Sequence, residues 1–245
     1  MQNRILNLKR DKKDDRDLLF KNEVRLFSAP IKPWVNLKRK MSKVEDQGSL
    51  GSCTANAFAG NVEFLANIKG DLFEASRLFI YWNERAYINS INEDSGAYLR
   101  DGIKSLKAHG VCCEHVWPYE ISRFTVKPSP DSYEQAAKRK ISKYMRIQTI
   151  EEMKQCLSDG FPFVFGLTLY ESFMSSRVER TGNVSMPNKI DYEVGGHAML
   201  CVGYSEKTQR FLVRNSWGES WGKKGYCTIP YEYMKQADDV WTIRS

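Results

Sequence analysis

Residues 47–70 read QGSLGSCTANAFAGNVEFLANIKG, and the fold is decided by how this stretch is read. Ala55, Phe58, Ala59, Val62, Leu65 and Ile68 recur at the three- and four-residue spacing of a helix, and Gly70 stops the run. Gly51-Ser52 precedes the run, so Cys53 falls at its first turn. A thiol there feels the positive end of the helix dipole, which favours the reactive thiolate. On the same residues alone, a buried cysteine that merely opens a helix is the alternative.

Moving outward, the spacing predicts a second helix over Ser76–Tyr87 and a third carrying Leu99, Ile103 and Leu106 to a stop at Gly110. Residues 131–140 read as a short surface helix. Thr149 with Glu152 forms a capping box ahead of Met153, Cys156 and Leu157. Beyond residue 160 the pattern changes to strands at Phe161–Tyr170, His197–Tyr204, Phe211–Asn215 and Gly225–Ile229, separated by Gly, Pro and Asn turn signals. Helices first and strands later predict an α+β fold of two lobes. Residues 1–28, charged and weakly patterned up to Ser28-Ala29-Pro30, read as an arm ahead of a unit spanning 29–245.

Composition narrows the function classes. With 42% hydrophobic and 12% aromatic residues in 245, the chain is neither disordered nor fibrous. Its apolar runs, such as FPFVFGL at 161–167, fall far short of the ~18 residues that a membrane span needs. The opening MQNRILNLKRDKKDDRD contains no apolar core of a secretory signal, so a cytoplasmic or otherwise intracellular setting is expected, with a virion or an injected effector left open. The net charge of +7 is spread over runs such as Lys38-Arg39-Lys40 and Lys138-Arg139-Lys140. Acids interrupt these runs and no nucleic-acid module accompanies them, so they read as solvated surface, with neither nucleic acid nor membrane as partner. The six cysteines form no C-x-x-C pair, and Cys112-Cys113-x-His115 lacks the second pair a zinc site needs. No metal or other cofactor is predicted.

A nucleophile working at neutral pH usually needs an imidazole base, and only His109, His115 and His197 are present. His109 closes a helix and His115 lies in a loop before Trp117-Pro118. His197 follows Gly195-Gly196 at the start of an apolar strand, where two glycines permit close backbone approach. Gly218-Glu219-Ser220-Trp221-Gly222 matches the G-x-S-x-G elbow of serine hydrolases. That chemistry places its histidine after the serine, and none follows Ser220, which therefore reads as a loop residue.

Three segments in order, Gln47-Gly48-Ser49-Leu50-Gly51-Ser52-Cys53, Gly195-Gly196-His197-Ala198 and Asn215-Ser216-Trp217-Gly218 with Trp221-Gly222 behind it, resemble the papain-like (C1 family) cysteine proteases. The resemblance covers about residues 30–245. It implies a two-lobed papain-like fold, with a helical lobe at about 45–140, a β-barrel-like lobe at about 141–245 and the cleft between them. It implies a cysteine peptidase, expected to be an endopeptidase, hydrolysing peptide bonds through a Cys53 thioester, with proteins or peptides as partners. Cys53 and His197 would form the thiolate–imidazolium pair, Asn215 would orient His197, and Trp217 would shield that contact. The Cys53 N–H and the Gln47 side chain would hold the oxyanion. Gly51, Ser95 and Gly96 correspond to positions along which an extended substrate lies, and Ala198 to one lining the pocket for the side chain two before the cut.

The departures carry meaning too. Leu50 stands where relatives have a half-cystine, Thr54 where they have Trp, and Asn92-Glu93-Asp94-Ser95-Gly96 where they show Cys-x-Gly-Gly. The usual extracellular disulfides therefore cannot form, which suits an intracellular, microbial or viral type. The adjacent His-His pair of relatives that remove C-terminal dipeptides is missing. A catalytically silent scaffold binding peptides or a partner, and a thiol acyltransferase or deamidase, are the competing functions. Residues 1–28 stand where many relatives carry an inhibitory pro-segment, so self-inhibition is a possible role for the arm. Its Leu18-Leu19-Phe20 cluster could enter the cleft with Asp14-Asp15-Arg16-Asp17 at the rim, or pack outside the β lobe.

Overall fold

In the computed structural model, which describes residues 4–21 and 30–245, the turn at Gly48–Ser52 leads into helix α1 (Cys53–Asn67). Every residue from Cys53 to Leu65 is buried, so α1 is not the one-faced helix its spacing suggests. It is a wedge between the lobes, and its small residues permit that. A Cβ at Gly60 would meet Arg214 and Leu200 from the sheet side at 3.3 Å. Helices α2 (Arg77–Ala86) and α3 (Leu99–Ala108) pack on its other side. The Ser76 hydroxyl caps α2 by accepting the Phe79 N–H at 3.1 Å. His109 ends α3, its ring edge-on to Tyr133 of α4 (Pro130–Ala136), and His115 is exposed.

The second lobe is one antiparallel sheet in the order β2-β7-β3-β4-β5-β6. Its strands are β2 (Lys143–Arg146), β3 (Phe163–Tyr170), β4 (Glu193–Ser205), β5 (Arg210–Arg214), β6 (Tyr226–Pro230) and β7 (Asp238–Arg244). The short β1 (Trp34–Asn36) joins the far end of β4, pairing Trp34 with Ser205. Gly203 allows this, because a Cβ there would fall 2.3 Å from the Val35 carbonyl oxygen. Among the described residues β2 and β6 do not pair, so the sheet is open where a barrel-like lobe was expected. The strands β1, β2 and β7 were not foreseen. Helix α5 (Ile150–Ser158) begins at the expected cap: Thr149 Oγ1 accepts the Glu152 N–H at 3.1 Å, while Glu152 accepts from Gln148 N–H, one residue before the expected partner. Helices α6 (Ser176–Thr181) and α7 (Tyr231–Met234) complete the lobe. Among the described residues no helix is long and apolar enough to cross a membrane. All six cysteines are free.

The arm is tied to both lobes. Phe20, 2% exposed, belongs to the β-lobe core with Met145, Phe163 and Phe165, and the Leu18 carbonyl accepts the Arg146 N–H at 2.8 Å. Of the two placements open to Leu18-Leu19-Phe20, packing on the β lobe is the one observed. The cleft is taken instead by Arg4–Lys9. Asp17 accepts from Arg100 of α3 at 3.0 Å and from Arg146 of β2 at 2.7 Å, joining helical lobe to sheet. The boundary read at Ser28-Ala29 lies outside the described residues.

Candidate active site

Cys53 opens α1 and is wholly buried, with the backbone N–H groups of Thr54 and Ala198 directed at its sulfur. Helix α1 thus brings the thiol against the β4 segment that contains His197. Burial pushes the Cys53 thiol up to about 12, opposed by those N–H groups and aided by Glu84. His197, equally buried, has Nε2 2.8 Å from Asn215 Oδ1, and its Nδ1 has no hydrogen-bond partner. Burial pulls its imidazole down to about 4, against the contact with Asn215 and with the help of the Arg4 charge. Burial thus favours the uncharged form of each group.

Asn215 is itself held, since its Oδ1 also accepts the Ser216 N–H at 2.8 Å. The Trp217 ring lies over His197 with centroids 4.9 Å apart, and Trp221 and Phe173 back it at 5.1 and 5.8 Å. His197 and Asn215 are both buried behind this apolar wall, and a hydrogen bond in such low-dielectric surroundings is stronger than one in water. Gln47 is buried beside the turn into α1. Its Oε1 accepts the Ser216 hydroxyl at 2.7 Å and its Nε2 donates to the Leu50 carbonyl at 3.0 Å, leaving one N–H to spare. Ser216, which orients Gln47, was not singled out from the sequence, although it lies between Asn215 and Trp217.

The positions assigned to an extended substrate hold the arm. Leu8 N–H donates to the Gly196 carbonyl at 3.2 Å, and Lys9 N–H to the Ala97 carbonyl at 3.0 Å. A Cβ at Gly96, where φ is +67°, would fall 2.0 Å from the Asn7 carbonyl oxygen. Gly96 N–H is donated to the Tyr81 hydroxyl at 3.2 Å, and the strand-like bond from the arm is made to the Ala97 carbonyl. Ser95 faces sideways, its hydroxyl 2.7 Å from that of Ser90. Asp94, also missed, accepts the Gly51 N–H at 2.9 Å and receives the Tyr81 hydroxyl. Leu8 packs on the core that contains Ala198, and its Cδ2 lies where a side chain on Gly166 would be. At the other end of the cleft Arg4, only 10% exposed, pairs with Asp46 at 2.5 Å and donates to the Trp217 carbonyl at 3.3 Å. Among the described residues no group of three or more metal-binding side chains is assembled.

Fold and site define a cysteine protease of two-lobed α+β build. The sequence model for the papain family cysteine proteases matches residues 32–238, and the chain belongs to that family. It is 44% identical to an uncharacterised peptidase C1-like protein of Acanthamoeba polyphaga mimivirus, over 96% of this chain and 85% of that one. It is 26% identical to cysteine proteinase 1 of Entamoeba histolytica, over 94% of this chain and 71% of that one. Among solved structures it is similar to xylellain, a cysteine protease from Xylella fastidiosa, with a TM-score of 0.90 and 38% identity over 98% of this chain and 96% of that one.

Proposed function

We propose that the protein is an endopeptidase that cuts peptide bonds through a Cys53 acyl-enzyme, and that its arm holds it closed. The observation that carries the reading is a helix-opening thiol lying against the Ala198 N–H, next to a histidine whose Nε2 is tied to Asn215 while its Nδ1 stays unpaired. Nδ1 is the nitrogen free to take the Cys53 proton once the cleft rehydrates. The thiolate then bonds to the peptide carbonyl carbon, and the imidazolium gives its proton to the departing amine as the C–N bond breaks. Water, deprotonated by His197, cleaves the thioester. The Cys53 N–H and the spare Gln47 N–H stabilise both tetrahedral oxyanions, each such donor being worth ~3–4 kcal/mol of transition-state stabilisation. Gly51, Ser95, Gly96 and Ala198 line the path of the substrate, a path the arm now follows. Trp217 shields the base.

Self-inhibition by the arm is supported by what Arg4–Asp11 touch. Asp11 accepts from Trp241 Nε1 at 3.0 Å, from Arg100 N–H at 3.1 Å and from Arg146 at 3.3 Å, so the arm is anchored on both sides of the nucleophile. We take residues 1–28 as this regulatory arm and 29–245 as the catalytic unit, its helical lobe at about 45–140 and its β lobe at about 141–245. Buried free thiols at Cys156, Cys201 and Cys227 favour a reducing, intracellular setting.

The test is labelling with a thiol-directed epoxide, located by peptide mapping, followed by digestion of a peptide library. A label on Cys53 with cleavage inside long peptides supports an endopeptidase. No label at Cys53 even in Arg4→Ala, whose arm is loosened, returns the silent scaffold, and a label without peptide cleavage returns the acyltransferase or deamidase.

A further inference from the structure

Glu84 is a fully buried carboxyl on α2 that the chemistry above leaves unused. Its Oε2 accepts the Thr54 hydroxyl at 2.6 Å, and Thr54 follows Cys53 in the first turn of α1. Its Oε1 has no hydrogen-bond partner. That oxygen is pressed against α3, where a Cβ at Gly102 would fall 2.4 Å from it, beside the Phe58 ring. The charged and titratable groups around it come from three helices. On α1 there is the Cys53 thiol. On α2, Arg85 is turned away to the Ile91 and Glu93 carbonyls at 2.8 and 2.9 Å and stacks over the Tyr81 ring. On α3, Asp101 adds a second acid, itself paired with Lys104 at 3.5 Å.

An ionised carboxylate in this position would be a buried charge with one oxygen bare, which is far more costly than a buried neutral acid. Burial accordingly holds Glu84 well above the usual carboxylate range. Neutrality also favours the Cys53 thiolate, because a charge on Glu84 opposes ionisation of Cys53 and would offset the help of the helix N-terminus. We propose that Glu84 is a positioning residue for the reaction: as an uncharged carboxylic acid it holds Thr54, and through Thr54 the turn that aims Cys53, without placing a negative charge beneath the sulfur. This rests on Cys53 being the nucleophile. It also accounts for Thr54, whose hydroxyl gives α1 a directional tie to α2.

Infrared difference spectra of the full chain against Glu84→Gln read the carboxyl directly, and the rate of Cys53 alkylation by iodoacetamide across a pH series reads its effect. The expected result is a neutral carboxylic-acid carbonyl band at neutral pH that disappears in Glu84→Gln. Thr54→Val should move that band and slow alkylation roughly fivefold or more with the melting temperature held, and Thr54→Ser should restore both. Glu84→Ala should slow it about tenfold, and Glu84→Gln, a neutral partner for Thr54, should recover most of that loss without altering the pH profile. A missing band, or alkylation of Thr54→Val at the wild-type rate, overturns the proposal. An Arg4→Ala chain, its arm loosened, that is left unlabelled at Cys53 counts against the nucleophile assignment instead, and the infrared band still decides whether Glu84 is neutral.

Discussion

Asn7 and Gly51 meet in the cleft so closely that a Cβ on Gly51 would fall 2.3 Å from Asn7 Oδ1. Gly51 lies two residues before Cys53, so the arm here meets the turn that leads into α1. The Asn7 amide also donates to the Asp94 carbonyl at 2.9 Å, and Asp94 in turn accepts the Gly51 N–H. Asp94 thus ties the arm to the glycine turn that leads into Cys53 through two hydrogen bonds.

Gly51→Ala should therefore expel the arm locally. The added methyl meets both polar atoms of the Asn7 side chain, while the melting temperature depends on cores it does not touch. Alkylation of Cys53 should speed up about tenfold, equivalent to ~1.4 kcal/mol of lost docking. An unchanged labelling rate at an unchanged melting temperature would remove the arm as a gate.

Gating and stability should separate along the arm. Phe20 fills the β-lobe core, whereas Arg4–Lys9 cover the cleft. Phe20→Ala should cost ~3–5 kcal/mol, lowering the melting temperature by roughly 10 °C. Arg4→Ala, which breaks the pair with Asp46, should instead speed Cys53 labelling with little thermal effect. Thermal denaturation and labelling run on the same samples would expose the error if both variants changed both quantities alike.

Catalysis should fail in a graded, non-additive order. Cys53→Ala should abolish turnover, and His197→Ala should come close to it. Asn215→Ala should lose roughly 10- to 100-fold, because it removes only the tie to Nε2. The double variant Cys53→Ala with Asn215→Ala should be no worse than Cys53→Ala alone. Steady-state kinetics on an internally quenched peptide tests this, and near-wild-type turnover by Cys53→Ala would refute the assignment.

The arm should hold more tightly in acid than near neutrality. The Asp11 carboxyl is pushed up to about 6, first by burial and next by neighbouring Asp239, against the donors Trp241 and Arg100. Its proton is therefore bound more tightly in the docked arm than in a free one, whose carboxyl keeps the ordinary value of 3.8. That contribution to docking is complete below about pH 4 and is lost as the pH rises through about 6. Cys53 labelling, corrected for thiolate fraction, should quicken several-fold between mildly acid and neutral pH, and Asp11→Asn should flatten the rise. The same rise in Asp11→Asn would place the switch elsewhere.

Much of the fold could be read from the chain because periodicity records local burial. The helices around Phe58, Ser76–Tyr87 and Leu99–Leu106, and the strands around Phe163, His197, Phe211 and Cys227, lie where the apolar spacing puts them. The strands at Trp34–Asn36 and Asp238–Arg244 escaped notice for a physical reason. The first has three residues and alternates exposed and buried. The second begins with two aspartates whose partners, Arg10 and Arg146, lie far away in the chain. The barrel-like expectation failed similarly, since closure of a sheet depends on its end strands meeting, which no single strand encodes.

The order of the segments around Cys53, His197 and Asn215 was set by the sequence alone, as was the helix that begins at the thiol, because both follow from residue type and short-range spacing. Only the tertiary structure decided what occupies the cleft. Arg4–Lys9 is a polar stretch with no periodicity, and its partners Asp46, Ala97, Gly196 and Trp217 come from both lobes. The contact between Thr54 and Glu84 was equally out of reach, because it joins positions 30 residues apart on separate helices. Local pattern tells which side chains leave water; which of them then meet depends on how the lobes and the arm pack, and that is a property of the whole chain.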